Sequence, residues 1–93
     1  MVPFDPGKND RNIVRHGLPL TFGARVLSDP GLVEAVDDRM DYGETRWNAL
    51  GMVEGTVYVL TYADRAAGPH FISVRRADRR ETDSYFAAQG CHR

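Results

Sequence analysis

Hydrophobic and polar positions change rhythm along this chain. Between Asp5 and Gly17 the only large apolar residues are Ile13 and Val14. Asp5 is a good N-cap, Pro6 suits a first helical turn and Gly17 suits a stop, so the pattern predicts a helix over Pro6 to His16. Val2 to Phe4 reads as a very short strand before it. Leu18-Pro19 breaks the chain. Thr21 can then cap a second, short helix to about Leu27, with Phe22, Val26 and Leu27 close to helical spacing. Ser28-Asp29-Pro30 closes that helix, because a residue before proline avoids the helical region.

Beyond Pro30 the rhythm is that of strands. Leu32 to Asp37 is the first, followed by the turn-rich DDRMDYGE. Thr45 to Val53 is the second, and Glu54-Gly55 is a tight hairpin turn. Thr56 to Ala63, rich in Val, Tyr and Thr, is the strongest strand. DRAAGP turns the chain again and His70 to Ala77 follows. Asp78 can cap a last helix, Arg79 to about Ala88. Helix, helix, meander and helix make an α+β fold with helices packed on one sheet face. At 93 residues the chain is expected to be a single domain, residues 1–93.

Alternation within the strands divides their residues between two faces. One parity of the second strand carries Arg46, Asn48, Leu50 and Met52; the other carries Thr45, Trp47, Ala49, Gly51 and Val53. In the last strand Phe71, Ser73 and Arg75 share a parity, against His70, Ile72, Val74 and Arg76. If helices cover one face, an open surface remains bearing Arg46, Ser73 and Arg75, with Tyr58 or Tyr62 near its rim. On the first helix Lys8, Asn12 and His16 fall in one sector, with Arg15 beside them.

The formal charge of −1 hides a segregation. Asp29 to Glu44 holds six acids against Arg39, and Arg65 to Arg80 holds five arginines against Asp78. Lys8, Arg11 and Arg15 stand against Asp10. Local sign rather than total charge governs what docks. Cys91 is the only cysteine; a lone thiol makes no intrachain disulfide and is read as an inert tail residue. The beginning of the chain has no apolar core of a signal peptide, and Val57 to Ala63 is too short to cross a bilayer. A soluble cytoplasmic protein without membrane association is expected.

Such a surface suits phosphate. Arginine grips phosphate through paired hydrogen bonds and stays charged at cellular pH. Cutting RNA without a metal needs a base for the ribose 2′-hydroxyl, an acid for the leaving oxygen and cations for the phosphorane. His16 is a candidate acid or base and Glu44 a possible base. Arg46, Arg65, Arg75 and Arg76 are candidates to stabilise charge, and Tyr62 to stack on a base or donate a proton. Each has a plainer reading beside it: Glu44 paired with Arg46, His16 serving its helix C-terminus, Lys8 on a solvated helix face. Histidines at 16, 70 and 92 show no metal-ligand spacing, no phosphate-loop or serine-hydrolase motif is present, and neither metal nor cofactor is expected.

FDPGKNDRNIVRHGLPLTFGARVLSDP, then YGETRWNALG, then a Val/Tyr strand ending YADR, then ISVRRADRRETDSY, together resemble the BrnT family. The match runs from Phe4 to Tyr85 and is sharpest at Asp5, Lys8, Asn12, His16, Gly17, Phe22, Asp29 and Pro30. The resemblance implies a RelE-like fold and the toxin of a type II toxin–antitoxin pair, a ribonuclease that cuts RNA and blocks translation. It implies a ribbon-helix-helix antitoxin as partner, with operator DNA bound only through that antitoxin. Carried onto this chain, the catalytic candidates are His16, Glu44, Arg46, Arg65 and Arg75, and the RNA-binding candidates are Lys8, Tyr62 and Arg76. The chain departs from the family where Pro69, His70 and Phe71 precede the Ile-Ser pair, and in not being basic overall. The alternative is a catalytically inactive module that only docks an antitoxin or nucleic acid.

Overall fold

A computed structural model of the chain describes residues 4–39, 41 and 43–90. Helix α1 spans Pro6–His16, with the Asp5 carboxylate accepting from the Gly7 amide at 2.9 Å and Gly17 ending it in the left-handed region at φ 71°. The expected second helix is in two parts. A 3-10 turn, Leu20–Phe22, runs into α2, Gly23–Leu27. Thr21 lies inside the turn and caps nothing, because the chain is already helical at that point. Strands β1 (Val33–Val36), β2 (Arg46–Val53), β3 (Thr56–Arg65) and β4 (Gly68–Arg76) follow, and α3 (Arg79–Ala88) closes the order. The sheet is an antiparallel meander in the order β1-β2-β3-β4, so the α+β expectation holds.

Local chemistry explains the boundaries. Glu54 and Gly55 both take positive φ, 50° and 82°, the conformation that matches a two-residue hairpin to strand twist. Asp78 and Glu81 form a reciprocal capping box that starts α3. The β3–β4 hairpin is tighter than DRAAGP suggests. Pairing continues through Asp64 with Pro69 and Arg65 with Gly68, leaving only Ala66 and Ala67 to turn. Arg65 therefore sits on a strand rather than in a loop. Of the expected Val2–Phe4 strand, Phe4 forms a bridge to Phe71; Val2 and Pro3, like Cys91, lie outside the described residues.

The core lies between one sheet face and the first helices. Leu20, Val26, Ala49, Val53, Tyr58, Leu60, Phe71 and Val74 form it. Two glycines let α2 lie directly on the strands. A Cβ at Gly51 would stand 2.4 Å from the Val26 carbonyl oxygen, and one at Gly23 would stand 2.8 Å from Leu60 Cδ1. Tyr58 packs edge-on to Phe22, ring centroids 4.7 Å apart.

Simple alternation fails in β4. Thr61 pairs with Ser73 but Tyr62 pairs with Phe71, so Ile72 is an extra residue in a β-bulge. Phe71 thereby turns to the helix-covered face beside Val74, away from Ser73 and Arg75. His70 turns the other way. Nor do all helices share one face: α3 borders the opposite side, where Arg80, Glu81 and Ser84 line a groove with Leu50, Val59 and Arg75. Tyr85 and Gln89 pin it there by donating to Asp29 and to the Gly31 carbonyl. Asp29 also accepts from the amides of Met52 and Gly31 at 2.8 and 3.0 Å.

Helix α1 seals the outer edge of β4 through one side chain. Asn12 is buried, and its amide donates to the carbonyls of Val74 and Leu18 at 2.9 and 2.8 Å. Its carbonyl accepts from the Val74 amide at 3.0 Å. Asn12 thus pairs with β4 as a neighbouring strand would, where an unsatisfied backbone group would cost free energy. Asn12→Ala leaves these groups without partners, and the expected loss is about 3 kcal/mol of folding stability, measured from urea unfolding midpoints.

Candidate active site

The bulge and the long β3–β4 hairpin assemble a charged cluster at one end of the sheet, on the face away from α2. Arg46 lies opposite Ala63, and Ala63 opposite His70. Arg65, two residues beyond Ala63, shares their face. Glu44 precedes β2, and its carboxylate lies 3.1 Å from Arg65 Nη2 and 3.5 Å from Arg46 Nε. Desolvation works to raise the Glu44 carboxyl, but Arg65 and Arg46 together hold it below the ordinary glutamate range. Glu44 is therefore an ionised clamp that spaces two guanidinium groups.

His70 is half-buried beside them. Burial pushes its imidazole down from the ordinary value, and the charges of Arg65 and Lys8 push the same way, against weaker opposition from Glu44 and Asp5. The neutral ring is favoured. That Lys8 acts on His70 ties the first turn of α1 to this end of the sheet.

Lys8, Arg11, Asn12, Arg15 and His16 recur at the spacing of one helix face. Asn12 fixes the rotation of that face against β4. Together with Ile72 and Ser73 they line a hollow of about 240 Å³. No described residue forms an ion pair with Lys8, Arg11 or Arg15. Ser73 also lines the larger groove, about 590 Å³, where Asn48 and Thr61 join it on the sheet floor. There the Thr61 hydroxyl donates to Asn48 at 2.7 Å. That groove is mixed in sign, Glu34, Asp37, Asp38 and Glu81 standing with Arg39, Arg75 and Arg80.

The structure brings Glu44, Arg46 and Arg65 together and adds Lys8 from α1. His16 lies two helical turns beyond Lys8, about 12 Å along the axis. Arg75 shares the Arg46 face, but register separates their Cα atoms by four residues and two strand spacings, roughly 16 Å. Its guanidinium makes a two-pronged bond to Glu81, both contacts 2.8 Å, so it ties α3 to the sheet. Arg79 stands beside Asp83 at 3.8 Å. The arginine-rich segment thus spends much of its charge internally. Arg76, opposite Tyr58, is exposed on the other face. Tyr58 and Tyr62 are also on that other face, not at the rim of the arginine surface. Tyr62 lies opposite Trp47 and donates to Glu34 at 2.5 Å, and burial, with Glu34, raises its phenol far above the ordinary value. Even spacing in sequence could not show this, because the pairing register decides which face each tyrosine takes.

His70, Arg11, Arg15 and Ser73 complete the two charged surfaces. The helical repeat of Arg11 with Lys8 and Arg15 was available in the sequence. His70 was hidden by the bulge, since counting back in twos from Ser73 sends it to the wrong face.

Among the described residues, no three His, Cys, Asp or Glu side chains are grouped to hold a metal ion, and no helix is long and apolar enough to cross a membrane. A small α+β scaffold that gathers cations, a carboxylate and an imidazole on one sheet end defines a candidate enzyme acting on a polyanion. The chain belongs to the BrnT family, the ribonuclease toxins of type II toxin–antitoxin systems, whose family model matches residues 4–81. Comparison with curated proteins gives no match. As a toxin of this type the protein has an antitoxin for a partner.

Glu81 offers a titration check on the role of Arg75. The hydrogen bonds from Arg75 are the main cause that holds its carboxyl below the ordinary 4.5. A lowered folded-state value means stability that is present above 4.5 and is lost as pH falls through the lowered value. Glu81→Gln is expected to lower Tm at neutral pH, with the gap to the parent protein closing in acid. Thermal melts across that range read it directly.

Proposed function

We propose that this toxin is a metal-independent endoribonuclease that cuts RNA and so blocks translation, and that cleavage occurs at the Glu44, Arg46, Arg65, His70 end of the sheet. The observation that supports this most is the placement of Arg65 and Lys8 beside one histidine, with Arg46 in the same cross-strand row. A phosphodiester seated there meets fixed positive charge from separate elements, which stabilises the dianionic phosphorane without reorganisation. Glu44 keeps the two guanidinium groups apart when RNA is absent. A base in the cluster takes the 2′-hydroxyl proton and the new 2′ oxygen attacks phosphorus in line.

The α1 stripe supplies the grip. Lys8, Arg11, Arg15 and His16 face a hollow that shares Ser73 with the groove over the sheet floor. A single strand can lay successive phosphates along it and its bases toward Asn48 and Thr61. On this reading His16 serves binding rather than cleavage, Arg75 serves mainly to hold α3, and Tyr62 and Arg76 lie outside the path of the RNA. The antitoxin is taken to be a ribbon-helix-helix protein that holds operator DNA itself. Glu34, Asp37 and Asp38, on β1 and just after it, support this division, since an acidic edge suits a basic protein partner better than a duplex.

Purified protein incubated with single-stranded RNA in EDTA is expected to cleave it; intact RNA at high enzyme concentration would count against the reading. Arg46→Ala with Arg65→Ala should slow cleavage about 100-fold or more while leaving the circular dichroism spectrum and antitoxin capture unchanged. Arg11→Ala with Arg15→Ala should instead weaken RNA binding. Its logarithmic salt dependence should become shallower by about 0.7 for each lost phosphate contact, read by fluorescence anisotropy over a salt series.

A further inference from the structure

We infer that His70 is the proton acceptor for the ribose 2′-hydroxyl, an assignment that rests on the ribonuclease reading above and names its base. Three groups in the candidate region can take a proton: Glu44, His16 and His70. The carboxylate of Glu44 is engaged by Arg65 and Arg46. Withdrawing it from two guanidinium groups would undo the cationic seat it spaces. His16 belongs to the last turn of α1, in the hollow with Arg15, Ile72 and Ser73. It is about 12 Å of helix from Lys8, the helix residue that acts on His70.

His70 is different in placement. It shares a cross-strand row with Arg46, with only Ala63 between them. The two Cα atoms are thus two strand spacings apart, roughly 10 Å. Ala63 is fully buried, so neighbouring side chains close over its methyl group. A guanidinium arm and an imidazole thus flank one alanine on the same sheet face. The bulge at Ile72 produces this arrangement: with regular alternation from Ser73, His70 would join Phe71's present face and meet the helices. A proton acceptor beside cations must also be uncharged to work, and the groups around His70 favour the neutral ring. Burial, Arg65 on β3 and Lys8 on α1 push it that way, and Glu44 before β2 and Asp5 before α1 push more weakly against it.

A ring nitrogen of His70 takes the proton of the 2′-hydroxyl. The 2′ oxygen forms a bond to phosphorus and the bond from phosphorus to the 5′ oxygen breaks. That 5′ oxygen takes a proton from water, and the imidazolium returns its proton to the hydroxide so formed. The products are a 2′,3′-cyclic phosphate and a 5′-hydroxyl.

The test is the pH–rate profile of His70→Gln and His70→Asn against the parent protein, on single-stranded RNA in EDTA, with melting temperature and antitoxin capture as folding controls. The expected result is a fall in rate of about 100-fold or more, together with loss of the acid limb that the parent shows below pH 6.5, the ordinary histidine value. Lys8→Gln should move the parent's acid limb to higher pH, because Lys8 pushes the imidazole down. A folded His70 variant that cleaves at the parent rate, or one that is slower but keeps the same acid limb, overturns the assignment and leaves the ribonuclease reading standing. A parent protein that leaves RNA intact overturns both.

Discussion

The pairing of Asn12 with Val74 is the contact on which the charged surfaces depend. A meander leaves the outer edge of its last strand with open backbone groups. Here one amide side chain answers the N–H and the C=O of the same residue and also binds the Leu18 carbonyl just beyond the helix. Because Asn12 lies at the middle of α1, its position sets the rotation of the whole helix. Lys8 and Arg15 are one turn away on either side and Arg11 adjoins it, so the three look along the sheet edge. The cationic stripe is thus a consequence of how a backbone requirement is met.

A second constraint is the extra residue in β4. With Ile72 out of register, Phe71 reaches the core and His70 reaches the arginine end. One irregularity serves both packing and chemistry, as bulges beside functional sites commonly do. At the other end of the sheet the logic is reversed. Arg75 is fastened to Glu81, which at the same time caps α3, and Tyr85 is fastened to Asp29. The charge there holds a helix in place. Two arginines of equal chemical capacity, Arg46 and Arg75, therefore do different work. Arg46 and Arg65 share the Glu44 carboxylate, while Arg75 makes a two-pronged bond to Glu81.

Membership of the BrnT family places the protein among toxins whose activity must be held in check by a partner. The charge distribution fits a molecule of two sides. Glu34, Asp37, Asp38 and Asp41 run along β1 and its following loop, and basic residues line the α1 edge. A nearly neutral total charge is compatible with a strongly cationic local field when the two signs are kept on different elements.

The helix boundaries were legible in the chain itself, because Asp5, Gly17 and Asp78 act through their immediate neighbours. The same holds for the Glu54-Gly55 hairpin and for the split of charge between segments. The face of each β4 residue was not, because a bulge depends on which residue the partner strand presents, and no local feature at Ile72 announces it. Nor could spacing show that Arg75 is consumed by Glu81, or that Tyr62 turns to Glu34: these follow from register and from where α3 comes to rest. Sequence determines where elements begin, end and carry charge, since those are effects over a few bonds. Which charges meet, and which are left for a ligand, is decided only when strands and helices pack, since pairing across a sheet joins residues that are remote along the chain.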